Sequence, residues 1–156
     1  TRILQETIFR LKRDSVLIAG DMIIPGRMER GELFKYDLYS SKTKIFIEDN
    51  LKAYEYIKLQ PKIRDITGFG ILQGRKIYGT MFVYAPVLPE EILNGVRGLF
   101  AENREVDGGI SFLDESLGIV KLTGDTVSGM QEIMEEIWGI VRRHMLCKDR
   151  VRLRKF

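Results

Sequence analysis

The sequence contains a single cysteine, Cys147, and a single histidine, His144. One cysteine excludes a disulfide within the chain. This pair of residues also excludes most zinc sites and argues against a hydrolase that uses a cysteine and a histidine. The two residues are three positions apart and could share a helix face that binds a borderline metal. We favour the alternative in which both serve packing near a helix end, and we predict no permanent metal site.

Long apolar runs are also absent. No segment approaches the roughly 18 consecutive apolar residues of a membrane-spanning helix, and no signal peptide is recognisable. Together with the sparse cysteine, these absences predict a cytoplasmic protein that makes no contact with a membrane. The chain begins at Thr1 without a methionine and directly in a strand-like pattern. We therefore expect that an upstream part is missing, with simple loss of an initiator methionine as the alternative.

No pair of carboxylates has a pattern typical of acid–base catalysis. Asp21 and Glu32 flank the loop formed by residues 25–31, but nothing around them supports a glycosidase pair. Ordinary turn acids, or an ion pair with Arg27 or Arg30, explain them as well. The sequence therefore predicts a binding protein and not an enzyme.

Positive charge is concentrated at the C-terminal end. The formal net charge is +3, but residues 142–156 contain seven Lys/Arg and one acid, so this tail carries +6 and the remainder −3. Residues 150–154 alternate basic and apolar side chains, as in an amphipathic strand that adds to a sheet edge. A tail that contacts phosphates and a solvated end are the alternatives.

Strand signals dominate residues 1–85. β-Branched and aromatic residues predict strands at 7–11, 34–39, 42–48, 53–59 and 76–84, separated by turn signals that contain Gly, Pro, Asp and Asn. The short apolar run at 16–19 predicts a strand that is buried on both faces.

The hydrophobic period changes after Pro86. Pro89 is expected at the first position of a helix that continues to Phe100. Two strands then follow between residues 105 and 122, with a turn at 107–109. Asp125 or Thr126 caps a second helix, whose apolar stripe runs from Val127 to Met145.

These elements predict an α+β fold that is mainly β, with layered antiparallel or mixed sheets and two helices in the C-terminal half. Residues 1–85 form a β-rich region, and residues 86–156 form a strand–helix–strand–strand–helix region. Because no linker or repeat separates them, we expect one continuous domain.

Residues 20–34 carry a resemblance to a known family. They contain Gly26-Arg27, three residues, Gly31-Glu32 and then an aromatic residue, a segment similar to one in the UreD/UreH family of urease accessory proteins. Further similar segments follow in the family's order at residues 4–11, 39–45, 79–86, 118–125 and 153–156. Trp138, Arg142 and Arg143 suit the family's terminal helix.

This resemblance implies a β-solenoid-like, non-catalytic scaffold in nickel delivery to apo-urease, a step of nitrogen metabolism. It implies a UreF-like accessory protein, a UreG-like GTPase and apo-urease as partners, with no nucleic acid. Nickel is then carried transiently through the scaffold, and no cofactor is tightly bound.

The residues constrain such a role. Because His and Cys are nearly absent, nickel in transit should meet water, carbonyl groups and carboxylates. We hypothesise that Asp21 and Glu32 line its path, with Gly26, Arg27 and Gly31 shaping the loop between them. The candidate partner contacts lie near the C-terminus: Trp138, Arg142, Arg143, Arg152, Arg154 and Phe156. For Trp138, burial in the domain's own core is the favoured alternative.

Two other functions stay open at this stage. One is a β-rich adaptor that uses its basic tail to bind nucleic acid or an acidic protein. The other is an enzyme whose site the sequence does not display.

Overall fold

The computed structural model describes residues 2–23, 38–59, 76–103 and 105–145. Within these ranges the chain forms seven β-strands and two α-helices, so the predicted α+β, mainly β class is confirmed. The strands are Arg2–Leu11 (β1), Leu17–Ile23 (β2), Leu38–Ile47 (β3), Asn50–Leu59 (β4), Ile77–Tyr84 (β5), Val106–Phe112 (β6) and Leu117–Gly124 (β7). The helices are Glu90–Glu102 (α1) and Val127–Met145 (α2).

A mixed three-stranded sheet has the order β1-β3-β4. Strand β3 pairs in parallel with β1 and antiparallel with β4. The prediction of two separate strands at 34–39 and 42–48 is wrong, because β3 continues without interruption through Ser40 and Ser41. Ser41 lies opposite Gln5 on one side and Ile57 on the other. A central strand with partners on both sides keeps its backbone groups paired, so two serines do not end it.

An antiparallel four-stranded sheet has the order β2-β5-β7-β6. Strands β2 and β5 precede residue 85, and β6 and β7 follow it. The predicted division into regions 1–85 and 86–156 stays a prediction. The expectation that residues 16–19 are buried on both faces is wrong. Val16 is exposed, and Leu17 and Ile18 are only half-buried, because β2 lies at the edge of the described sheet.

Both faces of the four-stranded sheet are covered. The helices α1 and α2 cover one face, where Met81 and Val83 of β5 belong to a large apolar core. The three-stranded sheet covers the other face, where Phe82 and Tyr84 pack with Ile45. Successive residues of a strand point to opposite faces, so β5 supplies both cores at once.

The two helices begin at different signals. The sequence predicted Pro89 as the first helical residue of α1, but Pro89 is the N-cap. Its carbonyl accepts a hydrogen bond from the Ile92 amide at 3.1 Å. Of the two candidate caps for α2, Thr126 occupies the position. Its Oγ1 accepts a hydrogen bond from the Gly129 amide at 3.1 Å, which satisfies one of the unpaired donors of the first turn.

The predicted turn at residues 107–109 is wrong, because these residues lie inside β6. The lack of a side chain at Gly108 permits close packing and does not mark a turn. A Cβ atom on Gly108 would lie 2.5 Å from the carbonyl oxygen of Lys121 and 2.6 Å from the Phe100 ring, whereas one on Gly109 would meet nothing within 4 Å. Gly108 therefore allows α1 to approach β6 closely through Phe100.

These two neighbouring glycines give a matched test. We expect Gly108→Ala to lower the free energy of unfolding by about 2 kcal/mol, since overpacking against backbone and a ring costs ~1–3 kcal/mol. Gly109→Ala should be neutral or stabilise by about 0.5 kcal/mol, because alanine loses less backbone entropy on folding. Urea unfolding of both variants measures the difference. Equal effects would contradict this account of the contact between α1 and β6.

Candidate functional site

The side chain of Asp21 points into the space between the two sheets. Leu17 and Ile23 lie on the same face of β2 as Asp21, and they pack in apolar clusters between the sheets. The neighbouring Gly20 lies on the opposite face of β2, where a Cβ atom would lie 2.9 Å from Met134 of α2. Strand alternation therefore places the Asp21 carboxyl group opposite the three-stranded sheet.

Two rows of polar residues face each other between the sheets. In the four-stranded sheet Asp21 lies opposite Thr80, which lies opposite Lys121. In the other sheet the corresponding row consists of Thr7, Thr43 and Glu55 on β1, β3 and β4. The Oε2 atom of Glu55 lies 3.5 Å from the Nζ atom of Lys121. We call these rows the inter-sheet polar layer. Its residues are Asp21, Thr80, Lys121, Thr7, Thr43 and Glu55.

Apolar clusters border the inter-sheet polar layer on both sides. One cluster contains Ile23, Tyr39 and Leu59. The other is larger and contains Ile45, Ala53, Phe82, Tyr84 and Leu117. The interior between the sheets is therefore divided along the strands into apolar, polar and apolar zones.

The environment changes the ionisation of two groups at this place. Partial desolvation raises the pKa of the Asp21 carboxyl group above its ordinary value, and a hydrogen bond of 2.9 Å from the Met22 amide opposes this rise. Burial also raises the pKa of the Tyr39 hydroxyl, and the negative charge of Asp21 raises it further, whereas a hydrogen bond with Ser41 lowers it. Asp21 and Tyr39 therefore interact electrostatically across the two sheets.

Thr80 is the most enclosed member of the layer. Its side chain is 4% exposed, and its Oγ1 is buried without a hydrogen-bond partner among the described residues. A buried hydroxyl without a partner destabilises a protein. Stability therefore does not explain why a threonine is present here.

The layer offers oxygen atoms and one ammonium group, with no imidazole or thiolate. Carboxylate and hydroxyl oxygens hold Ni²⁺ less tightly than nitrogen and sulfur ligands do. In the described part of the chain no three His, Cys, Asp or Glu residues cluster as a metal site. His144 is exposed in the last turn of α2, a helix that packs on the other face of the four-stranded sheet.

Several predicted site residues lie outside the described ranges. For the proposed metal path these are Gly26, Arg27, Gly31 and Glu32, so its hypothesised partnership with Asp21 stays a prediction. At the C-terminal end they are Cys147, Arg152, Arg154 and Phe156.

The other candidate contact residues lie on α2. Trp138 is half-buried against the core between helices and sheet. Its Nε1 and the Nε of Arg142 are buried, and neither has a hydrogen-bond partner within the ranges that the structure covers. Arg143 is exposed. Their role as partner contacts stays a prediction.

Sequence reasoning missed Thr80, Glu55 and Lys121 as members of one site. Each is a polar residue among the apolar residues that alternate along the inward face of its strand, and this pattern can be recognised in the sequence. However, their alignment depends on the register of β4, β5 and β7, which no local pattern reveals.

Neither α1 nor α2 is long and apolar enough to span a membrane, a statement that concerns only the described residues.

Replacing Thr80 by valine tests the stability argument. We expect Thr80→Val to raise the free energy of unfolding by roughly 1 kcal/mol, because it removes a buried hydroxyl that has no partner and keeps the shape. Thr80→Ser, which keeps the hydroxyl and loses a methyl group, should instead lower it by about 1 kcal/mol. Thermal unfolding compares the two. Destabilisation by valine would mean that this hydroxyl has a stabilising partner.

Asp21→Asn should change how stability depends on pH. With a raised pKa in the folded state, the folded protein binds more protons than the unfolded chain, so ionisation of Asp21 lowers stability as the pH rises through the carboxyl range. Asparagine does not ionise. The stability of the variant relative to the unmodified protein should therefore increase from pH 3 to pH 7, measured by urea unfolding at each pH.

The matched control is Glu136→Gln, which changes an exposed carboxylate on α2. It makes the same carboxylate-to-amide change outside the inter-sheet polar layer. Parallel pH profiles for Asp21→Asn and the unmodified protein would refute the desolvation of Asp21.

Comparison with known proteins identifies relatives for nearly the whole chain. The sequence model of the family described as UreD urease accessory protein matches residues 1–155. The protein named urease accessory protein UreD of Bacillus sp. strain TB-90 is 27% identical over 156 residues, which cover 99% of this chain and 57% of that protein. Its namesake in Haloarcula marismortui is 28% identical over 147 residues, 94% of this chain and 49% of its own length.

A third relative is more similar over a shorter stretch. Urease accessory protein UreD of Halalkalibacterium halodurans is 35% identical over 85 residues, which cover 54% of this chain and 31% of that protein. The chain spans about half the length of the curated relatives it matches. The family match over residues 1–155 confirms the resemblance carried by the ordered motifs: this chain belongs to the UreD family of urease accessory proteins.

Proposed function

We propose that this chain is part of a non-catalytic urease accessory protein, a cytoplasmic scaffold in the delivery of nickel to apo-urease. The observation that carries the proposal is the family match over residues 1–155, supported by relatives that are named urease accessory proteins. Its partners are a UreF-like accessory protein, a UreG-like GTPase and apo-urease.

Nickel is the cargo in this proposal and not a resident cofactor. The inter-sheet polar layer supports transit because its oxygen ligands bind Ni²⁺ weakly enough to release it. Asp21 is exposed on β2, which lies at the edge of the sheet among the described residues, and its negative charge attracts a cation. Thr80 continues the row inward with a hydroxyl group that lacks a partner among the described residues. Lys121 limits the path on the other side, and Glu55 neutralises its charge.

The adaptor that uses a basic tail is the weaker alternative. The family match favours the urease role, and the tail lies outside the described residues. The other alternative, an enzyme whose site the sequence does not display, likewise receives no support from the comparisons.

Urease activation in cells tests the nickel path. The full-length protein with Asp21→Asn should be expressed with its cognate urease operon at limiting nickel. We expect nickel per urease and urease activity to fall several-fold, because the entry loses its negative charge. Asp21→Glu should restore both, and Glu136→Gln should have no effect.

Capture experiments separate the scaffold from the path. Asp21→Asn should still retain the UreF-like protein, the UreG-like GTPase and apo-urease in a pull-down. Full nickel loading with Asp21→Asn would end the path hypothesis and leave the scaffold. An unmodified full-length protein that retains none of the three would end the proposal as a whole.

A further inference from the structure

The outer face of the three-stranded sheet is unusually apolar and aromatic for an exposed surface. Tyr54 and Tyr56 are 51% and 45% exposed. Three aliphatic side chains of the same surface, Leu4, Ile8 and Leu51, are 73%, 44% and 54% exposed. Several large exposed apolar groups on one face of a sheet are typical of an interaction site.

Three cations of this face lie over aromatic rings. The guanidinium carbon of Arg10 is 4.7 Å from the centre of the Phe46 ring. The ammonium groups of Lys42 and Lys44 are 5.4 Å and 5.9 Å from the rings of Tyr56 and Tyr54. These contacts hold long side chains in place before any partner arrives, which reduces the entropy lost on binding.

Charge on this face is mainly positive. By strand alternation the same side of the sheet also carries Arg2 and Lys58. Glu6 is the single acid among the described residues of this face, and its carboxylate lies 4.0 Å from the ammonium group of Lys44. We call the surface the basic aromatic face. Its residues are Arg2, Leu4, Glu6, Ile8, Arg10, Lys42, Lys44, Phe46, Leu51, Tyr54, Tyr56 and Lys58.

The helical side of the molecule has the opposite character. Exposed acids cluster on α1 and on the first half of α2, among them Glu90, Glu91, Glu102, Glu132 and Glu136. The helical side also carries cations, among them the exposed Arg97 and Arg143, but acids outnumber them there. The positive charge of the three-stranded sheet is independent of the C-terminal tail that the sequence emphasised.

We propose that the basic aromatic face is the docking surface for a protein partner that presents acidic side chains around an apolar centre. The proposal rests on the scaffold role proposed above and names the chemistry of one partner. Charge complementarity selects an acidic surface and speeds encounter. The exposed aliphatic groups of Leu4, Ile8 and Leu51 favour a protein over a nucleic acid, because bases stack on aromatic rings and gain little from aliphatic side chains.

Binding of the cognate UreF-like protein, UreG-like GTPase and apo-urease to the full-length protein, each measured separately by interferometry, tests the proposal. We expect Lys42→Glu with Lys44→Glu to weaken binding of one of them about tenfold or more, since reversal places like charges opposite each other. The affinity of the unmodified protein should also fall with added salt. Arg97→Glu, which reverses an exposed cation on α1, is the matched control and should leave binding unchanged.

Lysine acetylation gives a second measurement that needs no variant. Acetylation of Lys42 and Lys44 in the unmodified protein should be fast when it is alone and slow in the complex. Protection before any partner is added would assign the face to the remainder of the full-length protein and overturn the proposal.

The remaining outcomes are also decisive. Binding that is insensitive to the double reversal, with Lys42 and Lys44 still reactive in the complex, would overturn the proposal and leave the scaffold role intact. Failure of the unmodified protein to bind any of the three would overturn both. A further outcome is that the unmodified protein self-associates or binds a single-stranded oligonucleotide, and that the double reversal abolishes this while partner binding persists. That result would assign the face to the other occupant and overturn the proposal.

Discussion

The four-stranded sheet depends on being covered on both of its faces. Strand β5 is buried along almost its whole length, with Met81 and Val83 against the helices and Phe82 and Tyr84 against the second sheet. Burial of each such side chain contributes roughly 1.5–3 kcal/mol, so the loss of either layer would expose a row of them to water. The helices and the three-stranded sheet are thus packed on opposite faces of one sheet, in which β5 and β7 contribute residues to both cores.

The inter-sheet polar layer interrupts this packing. The ion pair between Glu55 and Lys121 is partly exposed, and such pairs contribute about 0–1 kcal/mol at most. The buried hydroxyl of Thr80 contributes less than an apolar group of the same size would. A row of polar groups that weakens a core is better explained by what passes or binds there than by stability, which is the reason for the metal path proposed above.

The two surfaces of the molecule differ in charge, although the formal net charge is only +3. The helical layer presents acids, and the basic aromatic face presents cations that are held over rings. The scaffold role proposed above requires surfaces that discriminate among partners, and opposite charges on opposite sides would supply such discrimination. The polar layer and the basic aromatic face lie on the two sides of the same three-stranded sheet, so cargo and partner would be handled by alternate residues of the same strands.

The sequence by itself determined the kinds of elements, the change of period after Pro86, the cap at residue 125 or 126 and the family. It also singled out Asp21 as a candidate site residue, because a family motif begins beside it, and this role stays a prediction. These signals are local, and each is carried by a few neighbouring residues. Only the tertiary structure decided that Thr80 and Lys121 align with Asp21, that Gly108 lies inside a strand and that Lys42 and Lys44 face outward over tyrosines. The physical reason is that strand alternation defines two faces without saying which is covered, and register is set by partners distant along the chain.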